Sequence, residues 1–435
     1  MDTRPVPAKL QSYARIAAFT MIVSASVVPA AHSIEPGRAS SAPYIRVVDD
    51  ETAKTVRLEV AARRFEHPAD ERPVIRMAGA VHIGDAVFYE SLQSLMDAQD
   101  VVLFESVKPS GSGELPPNAT DADKTRYTKR RLKLLSMFIE REAQRSGSLP
   151  ASIEVAERSA DDRFARIISA ARQDAWGGAI RYDVSDDGER FTLTSDGADG
   201  VPGGEGLDAD LIHEARRPSP GERAESSGGI QKQLASSLGL VFQPEAMNEG
   251  GPNWRNSDMS VDQVQERMEA HGTDASPLFN MLSGESFTAR FAGVMLRLIT
   301  ASEQSRSMTK LAMVEMLGSA DQLLAAGGGI GMPGGEGFLK VIIEERNEVV
   351  IADLVRIIEN EPDVRTIGIL YGAGHLAHLE SRLADLGYLP VEDQWFPAIT
   401  IDLAASGMSA QQAAAMRQMM RTSIERQLKA AQRRR

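Results

Sequence analysis

Two histidines occur in the same short pattern at distant points of the chain. Residues 79–82 are Gly-Ala-Val-His and residues 372–375 are Gly-Ala-Gly-His, so His82 and His375 each follow a glycine by three positions. A glycine lets the backbone and a ligand approach closely because it has no Cβ atom. A neutral imidazole is the form that binds a metal ion or accepts a proton. The two patterns therefore indicate a metal site or an acid–base site.

Each pattern lies between a predicted strand and a predicted helix. Apolar runs at 74–78 and 366–371 precede the patterns, and helical periodicity follows them. The apolar residues on one helical face are Phe88, Leu92, Leu95 and Met96 after the first pattern, and Leu376, Leu379, Leu383 and Leu386 after the second. A helix N-terminus keeps a nearby imidazole neutral because its partial positive charge disfavours the imidazolium. Sites in α/β folds lie where strands end, so we expect both rings there.

A carboxylate stands at the end of a further predicted strand. The apolar run 101–104 stops at Glu105. Parallel strands are buried on both faces and open into the ligand crevice at their carboxyl ends. A right-handed crossover would bring Glu105 beside His82 on the same sheet edge. The alternative is that Glu105 caps a helix or faces solvent.

An arginine interrupts the apolar stripe of the helix predicted at 336–360. Arg346 lies three or four positions from apolar residues on both sides, and Asn347 follows it. A guanidinium in a core needs an anionic or strongly accepting partner, and its fork suits a carboxylate or a developing oxyanion. We expect Arg346 and Asn347 over the site as catalytic residues. The alternative is a structural ion pair with a local acid such as Glu344.

Together these residues predict an open metal site. His82, His375 and Glu105, with solvent completing the shell, would suit Zn, Mn, Co or Fe. Such an ion lowers the pKa of its bound water to roughly 7 and so produces a hydroxide nucleophile. Glu105 would instead be the general base if another acid held the ion. The chain has no cysteine, which excludes thiolate ligands and a cysteine nucleophile.

Composition excludes two classes of protein. The 435 residues are 42% hydrophobic and 25% charged, and no apolar run of 18 residues follows the N-terminal segment, so the mature chain has no predicted membrane span. A formal charge of −13 argues against a nucleic-acid partner because phosphate contacts need a basic surface.

The N-terminal residues predict export. Arg4, Lys9 and Arg15 precede the apolar run 16–28, and small residues lie on both sides of a cleavage point near Ser33. This order is typical of a signal peptide. We therefore expect a periplasmic or extracellular protein whose mature chain begins near Ile34. The alternative is an uncleaved membrane anchor.

The predicted fold is α/β, with a mixed sheet built from two related strand-GxxH-helix halves and flanked by helices. It also contains a large, partly disordered insertion and a helical middle region. The predicted segments are a signal peptide (1–33), the N-terminal half of the core (34–145), the insertion (146–229), the helical region (230–335), the C-terminal half (336–403) and a basic tail helix (404–435).

Four local patterns add detail. The insertion has a predicted helix at 160–175 and a hairpin with strands at 180–184 and 191–193, and much of the Gly-rich tract 195–229 is predicted to be a mobile loop. Residues 329–334 match GxGxxG but follow a helix, which favours a linker over a nucleotide site. Capping-box spacing at 260–263 predicts a helix start, which favours a turn role for Asp258.

As a set, four stretches resemble the motifs of the TraB/Tiki/GumN family. They are Ala-Gly-Ala-Val-His-Ile-Gly at 78–84, Leu-Phe-Glu-Ser at 103–106, Glu-Arg-Asn at 345–347 and Tyr-Gly-Ala-Gly-His-Leu at 371–376. The resemblance implies an erythromycin-esterase/ChaN-like fold and a metal-dependent hydrolase, a peptidase similar to the Tiki members. It assigns the paired histidines to His82 and His375, the acid to Glu105 and the arginine to Arg346.

Three functions follow as hypotheses. The first is an exported metal-dependent hydrolase acting on a peptide or small molecule, with Arg346 stabilising the oxyanion. The second is a non-catalytic protein that binds a peptide, haem or polysaccharide fragment in the same crevice. The third is a metal-free esterase with a histidine base.

Overall fold

A computed structural model describes residues 43–219 except 53, 70, 116 and 117, and residues 230–273, 302–319 and 335–432. The predicted signal peptide, the linker predicted at 329–334 and other parts of the helical region predicted at 230–335 lie outside these residues. The described chain divides into two compact units. The first contains 107–219 and 259–265, and the second contains the remaining described residues.

The strands, numbered in chain order, are β1 Ile45–Asp50, β2 Thr55–Glu66, β3 Val74–Ala80, β4 Ile83–Gly84, β5 Val101–Phe104, β6 Arg181–Val184, β7 Arg190–Ser195, β8 Leu211–Arg216, β9 Val241–Phe242, β10 Trp254–Asn256, β11 Thr366–Gly372 and β12 Leu389–Asp402. The α-helices are α1 Ala86–Asp97, α2 Asp121–Ser146, α3 Ile153–Arg158, α4 Asp162–Ala171, α5 Ile230–Leu238, α6 Gln243–Ala246, α7 Val261–Ala270, α8 Glu303–Gly318, α9 Gly335–Leu339, α10 Arg346–Asn360, α11 Leu376–Asp385 and α12 Ala410–Gln432.

A seven-stranded mixed sheet forms the centre of the second unit. Its order is β1-β2-β3-β11-β5-β10, and β12 also pairs with β2. The strands β3, β11, β5 and β10 are parallel, whereas β1, β2 and β12 join antiparallel. The predicted α/β fold class is confirmed. The two strand-GxxH-helix halves are neighbours, because Gly372 of β11 pairs with Ala80 of β3.

Both faces of the parallel strands are covered by helices, which explains their apolar runs. Alternate side chains of a strand point to opposite faces. One core cluster joins α1 to one face through Phe88, Leu92, Met96, Ala78, Phe104 and Leu370. The other joins α10 and α11 to the opposite face through Val350, Leu354, Leu376, Leu379, Leu383, Met77, Leu103 and Ile369. The helical faces predicted after the two histidine patterns therefore pack on this sheet.

Gly79 is required by close packing within the protein. A Cβ atom at Gly79 would lie 2.5 Å from Cγ1 of Val60, 3.2 Å from Cδ1 of Leu376 and 3.3 Å from Cβ of Ala373. The last two residues belong to the second histidine pattern and its helix. Gly79 thus lets the two halves approach each other, which differs from the ligand approach that the sequence suggested.

The first unit combines helices with a three-stranded antiparallel sheet. Helix α2 begins with a capping box between Thr120 and Asp123, and its side chains share a core with Phe191 and Leu193 of β7. The predicted hairpin corresponds to β6 and β7. The prediction of a mobile loop at 195–229 is wrong for 211–216, which form β8 against β7. The alternating pattern of this strand spans only six residues, which is too short to identify a strand within a Gly-rich tract.

The helix predicted at 336–360 contains a change of helical type. Helix α9 continues into a π-helix, Lys340–Glu345, which ends immediately before α10. The first residue of α10 is Arg346. A π-helical turn inside an α-helix frequently accompanies a functional site. Within the described residues, no helix combines the length and the apolar character needed to cross a membrane.

Candidate functional site

Glu105 directly follows β5, and its carboxylate accepts hydrogen bonds from a residue of β11 and a residue of α10. Its Oε2 atom accepts a hydrogen bond from the backbone N–H of Gly372 at 2.7 Å, and its Oε1 atom accepts one from Nη2 of Arg346 at 2.7 Å. Glu105 is only 4% exposed. The alternatives of a helix cap or a solvent-facing acid are therefore wrong. The carboxylate lies at the carboxyl edge of the parallel strands.

Arg346 joins two carboxylates that are distant in the sequence. Its Nε and Nη2 atoms donate to Asp258 at 2.8 and 2.6 Å, and Nη2 also donates to Glu105. Burial by itself would lower the pKa of Arg346, but the charges of Asp258 and Glu105 outweigh burial and raise that pKa. The alternative partner Glu344 is not the residue that pairs with it. One guanidinium facing two carboxylates leaves a formal charge of −1 in a buried cluster.

Asp258 is the member of this cluster that the sequence interpretation missed. It follows β10, which has only three residues, and both its carboxylate oxygens accept from Arg346. The preceding Ser257 is anchored, since its Oγ donates to Asp353 at 2.6 Å and its carbonyl accepts from the hydroxyl of Tyr371. Asp258 is therefore more than a turn residue, because its carboxylate pairs with Arg346 in the buried cluster. A three-residue strand has too little periodicity to identify the residue that follows it.

His375 is fully buried, and Asn347 determines which of its nitrogens carries the proton. The amide Nδ2 of Asn347 donates to the backbone carbonyl of His375 at 3.0 Å. Its Oδ1 therefore faces the ring and lies 2.7 Å from Nδ1 of His375. An amide oxygen only accepts, so Nδ1 carries the hydrogen and Nε2 keeps a lone pair. The Nδ1–H tautomer of His375 thus follows from the orientation of the Asn347 amide, which the bond from Nδ2 to the carbonyl of His375 sets.

The Nε2 atom of His375 lies near the carboxylate of Glu105. The distance from Nε2 to Oε1 of Glu105 is 3.6 Å, and Nε2 has no hydrogen-bond partner among the described residues. Burial, followed by the positive charge of Arg346, lowers the pKa of His375 well below its usual value. The ring is therefore neutral near pH 7. Two electron-pair donors face each other without a proton between them.

His82 lies at the carboxyl end of the neighbouring strand β3. It stands two residues beyond Ala80, which pairs with Gly372, and it is 5% exposed. Its backbone carbonyl accepts a hydrogen bond from the N–H of Gln243 at 2.8 Å. The structure thus connects Glu105, Arg346, Asn347 and His375 by hydrogen bonds or close approach, and places His82 just beyond the end of β3, the strand beside β11.

Two further amides near this edge were missed by the sequence interpretation. The Oε1 atom of Gln243 and the Oδ1 atom of Asn256 are buried and have no hydrogen-bond partner among the described residues. Gln243 begins the short helix after β9, and Asn256 ends β10. A buried amide oxygen without a partner costs free energy, so both are candidate contacts for a ligand. Their sequence neighbourhoods carry no pattern that would have identified them.

The His375–Glu105 pair fits a divalent cation. Two ligands that each lie about 2.1 Å from a tetrahedral ion stand about 3.4 Å apart, close to the distance from Nε2 to Oε1. The cluster also has a net negative formal charge that a cation would balance. Within the described residues, however, no three His, Asp or Glu side chains are grouped as a metal site. His82 as a third ligand therefore remains a prediction.

Comparison with known proteins contradicts the family resemblance predicted from the sequence. Residues 129–214 match the family model described as Type II secretion system (T2SS), protein G. The predicted membership of the TraB/Tiki/GumN family is wrong: this different model matches, and no finding supports that family. Its four motifs are short, and small residues with one polar side chain also occur at ordinary strand ends. No curated protein matches the chain, and no solved structure does. The match covers part of the first unit.

Proposed function

We propose that the chain is an exported hydrolase in which His375 and Glu105 activate a water molecule with the help of a divalent metal ion, Mn, Co, Zn or Fe. One observation carries this proposal. The neutral Nε2 of His375 and the carboxylate oxygen of Glu105 face each other at 3.6 Å in a site with net negative formal charge. A cation between them would give Nε2 of His375 a partner and would share Oε1 of Glu105 with Arg346.

The surrounding residues prepare these two groups for that task. Asn347 keeps the lone pair of His375 on Nε2, and the backbone N–H of Gly372 orients the carboxylate of Glu105. A bound divalent ion would supply a water molecule with a pKa of roughly 7. The fully buried ring of His375 is shielded from bulk solvent, which strengthens electrostatic interactions there.

The sequence predicted that Arg346 stabilises an oxyanion. In this proposal Arg346 has another role. Its Nε and Nη2 atoms donate to Asp258 and Glu105, and Nη1 lies 3.4 Å from the carbonyl oxygen of Ile342. Each nitrogen thus has a partner inside the protein. We therefore assign Arg346 the orientation of Glu105, and we expect the substrate to be a peptide or a small molecule with an amide or ester bond.

The proposal is tested with the purified mature chain, stripped of metal and reloaded with each ion. We expect about one ion per chain by elemental analysis, and hydrolysis of members of a peptide and ester library that stops with a chelator. The variants His375→Asn and Glu105→Gln should bind metal at least 10- to 100-fold more weakly. The control is His271→Asn, because His271 is partly exposed and bonds to Glu345. Absence of bound ion together with unchanged hydrolysis by both variants would contradict the proposal.

Two alternatives give different results in the same assay. A general base also needs a fixed tautomer, which Asn347 provides to His375. Metal-free esterase chemistry predicts hydrolysis that survives the chelator but is lost in His375→Asn. A non-catalytic binding protein predicts that a peptide, haem or polysaccharide fragment binds without turnover.

The family match favours a second function for the first unit. Residues 129–214 extend from within α2 into β8, and their family is described as T2SS protein G. We infer that this unit associates with a type II secretion system and that the chain acts in the periplasm or outside the cell. Analytical ultracentrifugation of the purified chain with purified T2SS protein G tests this inference. Co-sedimentation would support it, and independent sedimentation at tens of micromolar would contradict it.

A further inference from the structure

Asn347 makes hydrogen bonds to two histidines of the same helical segment. Its Nδ2 lies 3.0 Å from the carbonyl oxygen of His375 and 3.1 Å from Nδ1 of His378, while its Oδ1 lies 2.7 Å from Nδ1 of His375. Both hydrogens of the amide and its oxygen are therefore used. Asn347 is fully buried. Its orientation is set by groups on α11 and on the turn that precedes it.

The amide determines the protonation of His378 as well as that of His375. Because Nδ2 of Asn347 can only donate, Nδ1 of His378 must accept, and the hydrogen of a neutral His378 ring is on Nε2. Burial lowers the pKa of His378, which agrees with a neutral ring. His378, Asn347 and His375 thus form one chain of hydrogen bonds with a single consistent set of proton positions.

Reversing the amide would change the reactive nitrogen. Oδ1 would then face the carbonyl oxygen of His375, which only accepts, and Nδ1 of His378, which would have to take the ring hydrogen from Nε2 in order to donate. Nδ2 would face Nδ1 of His375 and move the ring hydrogen to Nε2. That hydrogen would occupy the space between His375 and Glu105. Nδ1 of His378 therefore opposes reversal of the Asn347 amide, although His378 is not a member of the His375–Glu105 pair.

We propose that His378 is a positioning residue that acts through Asn347 to keep the lone pair of His375 on Nε2. This role rests on the proposed function of His375, but the hydrogen-bond chain exists whether or not the site hydrolyses a substrate. His378 itself does not contact Glu105 in this role. Its contribution is therefore measured best on the ring of His375 and on the bond between that ring and Asn347.

A pair of nearly isosteric variants isolates the acceptor on His378. His378→Asn can restore an acceptor near the position of Nδ1, whereas His378→Leu has similar size and no acceptor; His378→Ala replaces the leucine variant if that one does not fold. The metal-free full chain is labelled with ¹⁵N in its histidine rings, and His375→Asn assigns the signal. NMR reports which nitrogen of His375 carries hydrogen and how fast that hydrogen exchanges with solvent.

We expect the parent and His378→Asn to show the Nδ1–H form of His375. In His378→Leu the exchange of this hydrogen should be about 2- to 12-fold faster, as expected for the loss of one hydrogen bond of ordinary net strength. An Nε2–H form in the parent, or equal exchange in the asparagine and leucine variants, would overturn the proposal. Neither result depends on hydrolysis, so failure here is distinct from failure of the proposed function.

Discussion

The Nε2 atom of His375 lies 3.6 Å from the Oε1 atom of Glu105, and the side chains of both residues are at most 1% exposed. These residues are 270 positions apart in the chain and meet because β11 lies beside β5. Arg346 and Gly372 hold the carboxylate, and Asn347 holds the imidazole. The pair is therefore a preorganised place for a proton, a water molecule or a cation.

A divalent ion should stabilise the protein through this pair. At an ion concentration of 100 times the dissociation constant, the free energy of unfolding should rise by about 2.7 kcal/mol. Glu105→Gln should remove most of this increase because the substitution removes the anionic ligand. Urea denaturation with and without Zn²⁺ or Mn²⁺ measures the effect, with His271→Asn as the control. An equal increase in Glu105→Gln would place the ion elsewhere.

Substitution of Arg346 by methionine should strongly destabilise the fold. The side chains of Arg346 and Asp258 are completely buried, and Glu105 is nearly so. Removal of the guanidinium leaves two carboxylates close together without their shared cationic partner, and breaking a buried pair in this way costs about 3–5 kcal/mol. The free energy of unfolding from urea denaturation is the measurement.

The matched control for this change is Arg356→Met on the same helix. Arg356 pairs with Asp353, but its side chain is 62% exposed. An exposed ion pair contributes about 0–1 kcal/mol, so this variant should remain close to the parent. If Arg346→Met and Arg356→Met lowered the free energy of unfolding by similar amounts, the buried cluster would not have the structural importance assigned to it.

Stability should fall as the pH is lowered toward 5. The native pKa of His375 lies below that of the unfolded chain because burial disfavours the imidazolium. Below about pH 6.5 the unfolded state therefore binds a proton that the native state does not, and the free energy of unfolding falls by up to about 1.4 kcal/mol per pH unit for this group. The lowered pKa of His378 acts in the same direction.

The pH effect is checked by urea denaturation between about pH 5 and 7.5 for the parent and His375→Asn, whose new side chain does not titrate in that range. The slope of stability against pH should be smaller in the variant. Above about pH 7 the contribution from His375 should be constant, since the ring is then neutral in both states. Equal slopes would show that His375 does not stay neutral in the fold.

Gly79→Ala should destabilise the junction between the two halves of the sheet. The added methyl would lie 2.5 Å from a methyl carbon of Val60, whose side chain is buried. Overpacking of this kind costs about 1–3 kcal/mol. The double variant Gly79→Ala/Val60→Ala should be less destabilised than the sum of its single changes because the smaller residue makes room. If the double variant lost as much stability in thermal unfolding as the two single variants together, this explanation would be wrong.

The sequence by itself determined the local elements and several site positions. The apolar runs before the two histidine patterns form β3 and β11, and the apolar faces after them form α1 and α11, because strand and helix periodicities depend on neighbouring residues. Glu105 was identified from its place at the end of a buried strand, and Arg346 from its place in an apolar stripe. These two inferences required no knowledge of the partners.

The tertiary structure decided which side chains meet. Asp258 pairs with Arg346 across 88 positions, and β10, which carries Asp258 to the site, is three residues long. The order in which strands pair is a long-range property, so no local pattern predicts this contact. The tautomer of His375 likewise depends on the amide of Asn347, and the need for Gly79 depends on Val60. Local periodicity specified the elements, while pairing and packing over long sequence distances produced the site.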